Sequence, residues 1–383
     1  MKNILTSALN KATQLTREQN LAEATRVLMR ALTPHGAGPA TPQPAAHAEP
    51  HPPTFRVRRP LGETLELLRH AGLPGLDQSG APLITLRKAP KIDVPPGAAY
   101  LARSHVGPAG ARDYKVYAPS SLGNSERPLI VMLHGCTQNP DDFAVGSRMN
   151  ALAEEHGFLV AYPAQSTKAN QMGCWNWFNP GDQTREKGEP SLIAGVTRAV
   201  MAEWRVDESR VYVAGLSAGG AMAATMAATY PELYAAVGIH SGLAHGSAGD
   251  VASAFAVMSG KVGPSAARAS LSRDSMRTII FHGAADQKVH PINAENIVAM
   301  ARRSHAGALS RETREIGSAG GRDYSRTIVT DARGAPQLEY WAIEGLGHAW
   351  SGGDPEGSFA DRHGPDASRE MVRFFLLDAA REE

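Results

Sequence analysis

From about Tyr100 onward, short apolar runs alternate with longer segments of helical period. Tyr114–Tyr117, Leu129–Leu133, Leu159–Tyr162, Val211–Ala214, Ala236–His240, Thr278–Phe281 and Leu338–Ile343 read as strands. Between them, Phe143–His156, Ser191–Trp204, Ala218–Thr229, Pro291–Arg302 and Asp366–Ala380 read as helices. Strands that alternate with helices return through crossovers and build a mostly parallel sheet with helices on both faces. The pattern therefore predicts an α/β domain over residues 98–383. Residues 244–275, rich in Ala, Ser and Gly, have the composition of a mobile cap.

The chain before this domain is of another kind. In residues 1–32, Ile4, Leu5, Ala8, Leu9 and Ala12 form one apolar stripe, and Leu21, Ala24, Leu28 and Ala31 form another. Thr16-Arg17-Glu18-Gln19 has the form of a capping box, so the segment reads as an amphipathic helical hairpin. Residues 33–97 are rich in Pro, Ala and Gly and bury too little apolar area to offset the entropy of ordering. They read as a linker, with a short helix near Gly62–Ala71. Asn10, Lys11, Gln14 and Arg17 interrupt the place where a signal peptide needs about 7–15 apolar residues. The expected location is therefore the cytoplasm.

Charge excludes some functions. With 39 basic and 38 acidic residues among 383, net charge is +1, which does not suit a nucleic-acid binder. No apolar run approaches the roughly 20 residues of a membrane span. Two cysteines, Cys136 and Cys174, are too few for a disulfide framework, and no Cys/His cluster suggests a metal site.

The chemistry concentrates where strands end. Val211–Ala214 runs into Gly215-Leu216-Ser217-Ala218-Gly219, and small residues follow in the next helix. A serine between two such glycines suits a sharp strand-to-helix bend that projects its hydroxyl at the carboxyl rim of the sheet. A serine hydroxyl becomes a nucleophile only when a base takes its proton, and that base needs an orienting carboxylate. On this architecture the order is serine, acid, histidine. Asp286 follows the Thr278–Phe281 strand, and His348 sits in a glycine-rich loop after the strand ending at Ile343. His282 lies too close to Asp286 in sequence to face a distant serine as well, and reads as structural. The backbone N–H groups of Ala218 and Cys136 are placed to receive negative charge on a carbonyl oxygen. His134, which opens the same loop as Cys136, is placed at the substrate.

Several motifs together resemble the esterase family of poly(3-hydroxybutyrate) depolymerases. They are L-H-G-C-T-Q-N (Leu133–Asn139), G-C-W-N-W-F (Gly173–Phe178), G-L-S-A-G-G-A-M (Gly215–Met222), H-G-x-x-D-x-x-V (His282–Val289) and G-H-A-W-S-G-G (Gly347–Gly353). The resemblance covers residues from about 100 to 380. It implies the α/β-hydrolase fold, a Ser217–His348–Asp286 triad in the type I order, and ester hydrolysis without metal or organic cofactor. The expected substrate is a poly(3-hydroxybutyrate) chain or oligomer, met at a polyhydroxyalkanoate granule surface. Feruloyl or acetyl-xylan-type esters are the alternative. A rival of another class is a granule-surface binding protein that works through its N-terminal helices.

The resemblance makes secretion the alternative location. In that family the positions of Cys136 and Cys174 can pair, whereas a reducing cytoplasm opposes pairing; the sequence leaves both states open. Trp175 and Trp177 alternate, so an extended segment turns one inward and the other to the cleft. Trp350 and His240 are placed beside them as an apolar wall for methyl-bearing ester units.

Overall fold

The computed structural model describes residues 91–121, 123, 125–261, 276–305 and 309–377. The expected helical segment 1–32 and the linker up to residue 90 lie outside the described residues.

The chain enters through an antiparallel pair, β1 (Ala99–Gly107) and β2 (Gly110–Ala118). Then come β3 (Arg127–Leu133), α1 (Pro140–Ser147), α2 (Met149–His156) and β4 (Leu159–Pro163). A 3-10 turn at Pro180–Gln183 leads into α3 (Gly188–Glu203), β5 (Val206–Leu216) and α4 (Ala218–Thr229). Next are β6 (Ala236–His240), α5 (Val251–Met258), β7 (Arg277–Gly283) and α6 (Ile292–Ser304). A hairpin, β8 (Leu309–Ala319) with β9 (Arg322–Asp331), precedes β10 (Pro336–Ile343). Short strands β11 (Trp350–Ser351) and β12 (Ala360–Asp361) pair with each other before α7 (Ala367–Val372), which runs on as a π-helical turn to Leu377.

The large sheet has the order β1-β2-β4-β3-β5-β6-β7-β10-β9-β8. Neighbours from β4 to β10 are parallel, and antiparallel pairs close both ends. Strand residues alternate between two cores. Leu129, Val131 and Leu133 join Ile193, Met222 and Ile297 on one face. Ile130 and Met132 join Phe143, Leu152, Met371 and Phe375 on the other. Both faces are covered, so the central strands are continuously apolar, as parallel strands are. Every catalytic candidate consequently falls in a loop at one rim, after β3, β5, β7 or β10.

The structure departs from the sequence reading in three places. The helix expected over Phe143–His156 is two helices. Asn139 caps Asp142 N–H with Pro140 in the first turn, and Arg148 breaks the run with a left-handed φ of 57°. The segment 244–275 is not wholly a mobile cap. Its described part holds α5, with a capping box at Asp250 and Ser253, and Met258 O and Val257 O accept bonds from His290 N–H and Asn293 Nδ2. Strands β1, β8, β9, β11 and β12 are additional to the expected set.

Candidate active site

Ser217 occupies the bend between β5 and α4 with φ 57° and ψ −118°. A non-glycine residue held there stores about 1–3 kcal/mol of strain. The flanking glycines make the bend possible. A Cβ on Gly219 would stand 2.0 Å from the Leu133 carbonyl oxygen, and one on Gly215 would stand 2.4 Å from the Gly219 carbonyl carbon. The next strand also fixes the bend, because Ser217 N–H donates to the His240 carbonyl at 2.9 Å. The half-buried Ser217 hydroxyl makes no hydrogen bond among the described residues.

The loops after β7 and β10 are stitched together by Ala284 N–H to Ile343 O (2.8 Å) and Ala285 N–H to Leu346 O (3.0 Å). This brings Asp286 and His348 together, 62 residues apart in sequence. His348 Nδ1–H donates to Asp286 Oδ2 at 2.7 Å, while Oδ1 accepts Lys288 N–H and Val289 N–H at 2.9 Å each. Burial alone would raise the Asp286 carboxyl, but the bond and charge of His348 and the Val289 N–H leave it below its ordinary value. His348 thus presents Nε2 as its available ring nitrogen. His282 is buried behind the pair and donates Nε2–H to Val289 O at 2.8 Å, in the structural position expected of it.

Across the rim, Cys136 N–H and Ala218 N–H are engaged by no described residue. Ala218 opens α4, where N–H groups have no intrahelical acceptor. Cys136 is bonded to Cys174, and the described residues contain no free cysteine. The bridge ties the loop after β3 to the Trp175 loop, which Thr137 N–H to Met172 O (2.8 Å) also fastens.

The expected apolar wall is corrected. Trp175, Trp350, His134 and His240 are each at most 1% exposed and Trp177 is 6% exposed, so none stands open in a cleft. Gly173–Phe178 is not a strand, and the predicted in-and-out alternation of Trp175 and Trp177 does not occur. Trp175 Nε1–H donates to His134 O, and Trp177 packs edge-on against Phe178. His240 lies between Phe281 and Trp350, with ring centroids at 5.8 and 5.0 Å, and its Nε2 accepts Ser351 N–H. Burial holds its imidazole down to about 3, with the neighbouring His282 and His348 adding to the effect, so it stays neutral. These rings brace the rim from below.

One group at the site was missed. Gln138 Oε1 accepts Gly135 N–H at 2.8 Å, while its Nε2 donates to Asp142 Oδ2 (2.9 Å) and Ser358 O (2.7 Å). Asp142 also accepts the N–H and hydroxyl of Ser358. The loop after β3 is therefore tied to the segment bearing Phe359, whose ring lies 6.2 Å from His348. The available signal was a glutamine three residues after Gly135, directly before an Asn-Pro helix start.

A hydroxyl on a strained bend, an imidazole oriented by a carboxylate and two uncommitted N–H groups can carry out acyl transfer. Comparison with known proteins leads to the same chemistry. The family model described as Esterase PHB depolymerase matches residues 112–320. Poly(3-hydroxyalkanoate) depolymerase C of Paucimonas lemoignei is 35% identical over 241 residues, covering 61% of this chain and 57% of that one. Feruloyl esterase B of Neurospora crassa is 37% identical over 148 residues, covering 38% and 49%. The chain thus spans less than two thirds of either relative. Among solved structures, an acetyl xylan esterase from Aspergillus awamori superposes with a TM-score of 0.55 at 22% identity, covering 73% of this chain and 98% of that one; this likeness concerns the fold.

Proposed function

The chain belongs to the Esterase PHB depolymerase family, and from that premise we propose that it is a serine carboxylester hydrolase acting on poly(3-hydroxybutyrate) or its oligomers. The observation that carries the ester chemistry is the rim itself: the strained Ser217, the 2.7 Å bond from His348 to Asp286, and the N–H groups of Cys136 and Ala218, engaged by no described residue. In this reading His348 Nε2 takes the Ser217 proton as Oγ attacks the ester carbonyl. Asp286 holds the imidazole in the required tautomer and stabilises its charged form. Cys136 N–H and Ala218 N–H receive the oxyanion. The alkoxide leaves with the proton from His348, and water then cleaves the acyl-enzyme by the same steps in reverse.

The polymer as substrate is supported by the family and by the depolymerase relative. Feruloyl or acetyl-xylan-type esters are the second reading, favoured by the other relatives. Incubation with amorphous poly(3-hydroxybutyrate) and with feruloylated and acetylated xylo-oligosaccharides decides between them. Release of hydroxybutyrate oligomers is expected, and release of only ferulate or acetate transfers the assignment. Granule targeting by residues 1–60 belongs to the same proposal. Their deletion is expected to abolish sedimentation with granules and to spare short-ester hydrolysis. Location is proposed too. A bridge such as Cys136–Cys174 suits an oxidising compartment, which weighs for secretion over the cytoplasmic expectation. Two free thiols in protein recovered from host cytosol would reverse that preference.

A further inference from the structure

A buried polar network beneath the Trp175 loop takes no part in proton transfer, yet it ends on the peptide that carries an oxyanion donor. Glu189, in the first turn of α3, is 3% exposed. Its carboxylate accepts Asn176 N–H at 2.7 Å, Asn176 Nδ2 at 2.8 Å and the side-chain amide of Gln165. Gln165 passes the constraint on. Its Nε2 also donates to Cys174 O at 2.8 Å, its Oε1 accepts Arg112 Nη1 at 2.5 Å, and its backbone N–H donates to His134 Nε2 at 3.0 Å. With Nε2 accepting, the neutral His134 ring carries its proton on Nδ1, which donates to Gly135 O at 2.8 Å. Gly135 C=O and Cys136 N–H belong to one planar trans peptide, so drawing the carbonyl toward His134 turns the N–H the opposite way. The second route runs from Glu189 through Asn176 to Cys174 and across the disulfide to Cys136.

We infer that Glu189 is a positioning residue of the oxyanion site, holding Gln165 and the Cys174–Asn176 segment so that the Gly135–Cys136 peptide keeps its N–H toward the reacting carbonyl. The inference rests on the ester-hydrolase reading. The three contacts to Glu189 all come from N–H groups, so they require the carboxylate; a protonated carboxyl would turn a donor against a donor. Charged and titratable groups reach it from several elements: Arg112 on β2, Asp182 in the 3-10 turn, whose Oδ1 accepts Glu189 N–H at 2.8 Å, and His134 beyond Gln165. Burial, with Asp182 adding to it, raises the Glu189 carboxyl to about 7, against the pull of Gln165, Asn176 and Arg112. Its protonation therefore falls near neutral pH.

The test compares wild type, Glu189→Gln and Asn176→Ala on p-nitrophenyl butyrate from pH 5 to 9, with butylboronic acid as transition-state analogue. Glu189→Gln is expected to lower kcat ~10–100-fold with KM within about twofold, as misplacement of a transition-state donor does. The boronate inhibition constant should rise by a similar factor. Glu189→Gln should also remove from the acid limb of log kcat the proton that Glu189 takes up near pH 7. Asn176→Ala should show the same split with a smaller loss, and it decides the matter if Glu189→Gln does not fold. Unchanged kcat and boronate affinity in the folded variant would overturn the inference. If wild type itself shows no turnover that depends on Ser217, the ester-hydrolase reading fails instead.

Discussion

The backbone N–H of Ser217 donates to the carbonyl of His240 at 2.9 Å. The residue bearing the hydroxyl therefore withholds its own amide from the oxyanion and is braced by the adjacent strand. Replacing Ser217 with alanine removes the hydroxyl and keeps this brace. Hydrolysis of p-nitrophenyl butyrate should fall ~10⁴-fold or more, with an unchanged melting temperature. Ser217→Gly should be as inactive but melt about 2–4 °C higher, because glycine accepts φ 57° without strain. Gly219→Ala should lose stability by about 3 kcal/mol or more, since its Cβ meets backbone oxygens that cannot retreat. Calorimetry on the three variants checks the series.

Cys136 is both half of a bridge and the bearer of a proposed oxyanion donor. The bridge closes a loop with a sequence separation of 38. Its loss should cost on the order of 4 kcal/mol through chain entropy. Paired replacement of Cys136 and Cys174 by alanine should lower the urea midpoint accordingly and reduce kcat more than it raises KM. Equal midpoints with and without the bridge would contradict this.

Buried histidines weaken the fold in acid, His134 and His240 among them. Burial brings His134 down to about 4 and His240 to about 3, whereas an unfolded imidazole titrates near ~6.5. Between those values the unfolded chain binds protons that the folded one refuses. Stability is therefore complete above about 6.5 and declines as pH falls, by about 1.4 kcal/mol per pH unit for each histidine until its folded value is reached. Urea midpoints at pH 7, 6 and 5 should show this decline. His240→Gln should flatten the slope whatever its effect on the absolute midpoint.

Asp286→Asn replaces an acceptor facing His348 Nδ1–H with an amide that can present a donor. The imidazole then loses its orienting partner, and kcat should fall ~10⁴-fold while KM changes little. The Asp286 carboxyl is held below its ordinary value, so its contribution to stability is present above the unfolded value of ~3.9 and lost as pH falls through the lower folded one. The urea midpoint of Asp286→Asn should accordingly depend less on pH below about 4 than that of wild type.

The central strands were legible because both their faces are buried: Leu129–Leu133 and Val211–Ala214 are continuous apolar runs between loops. The edges were not. Strand β8, L-S-R-E-T-R-E-I-G-S-A, is mostly polar and solvent-facing, with even Ile316 84% exposed, so it shows neither the strand period nor an apolar run. Its hairpin partner was announced by Gly320-Gly321, both with positive φ, a turn signal that the polar flanks obscured. At the site, the strand-end placing of Ser217, Asp286 and His348 was readable because each proposed role needs a particular residue type there, and the structure joins two of the three, Asp286 and His348. The tryptophans misled because alternation was taken for exposure: Trp175 instead spends its Nε1–H on His134 O in the interior. Glu189 gave no signal at all. A glutamate before a proline reads as a solvated turn, and only the packing of α3 under the Trp175 loop turns it inward.

The outermost described strands, β1 and β8, leave one edge of backbone each without a neighbour in the sheet order. On β8, Arg311, Glu312, Arg314 and Glu315 are exposed, and on β1 Arg103 grips Glu203 of α3 through three bonds of 2.7–3.1 Å. Splicing two such edges would strand like charges opposite each other or strip water from them. A second copy approaching either edge would thus meet charged side chains before it met open backbone.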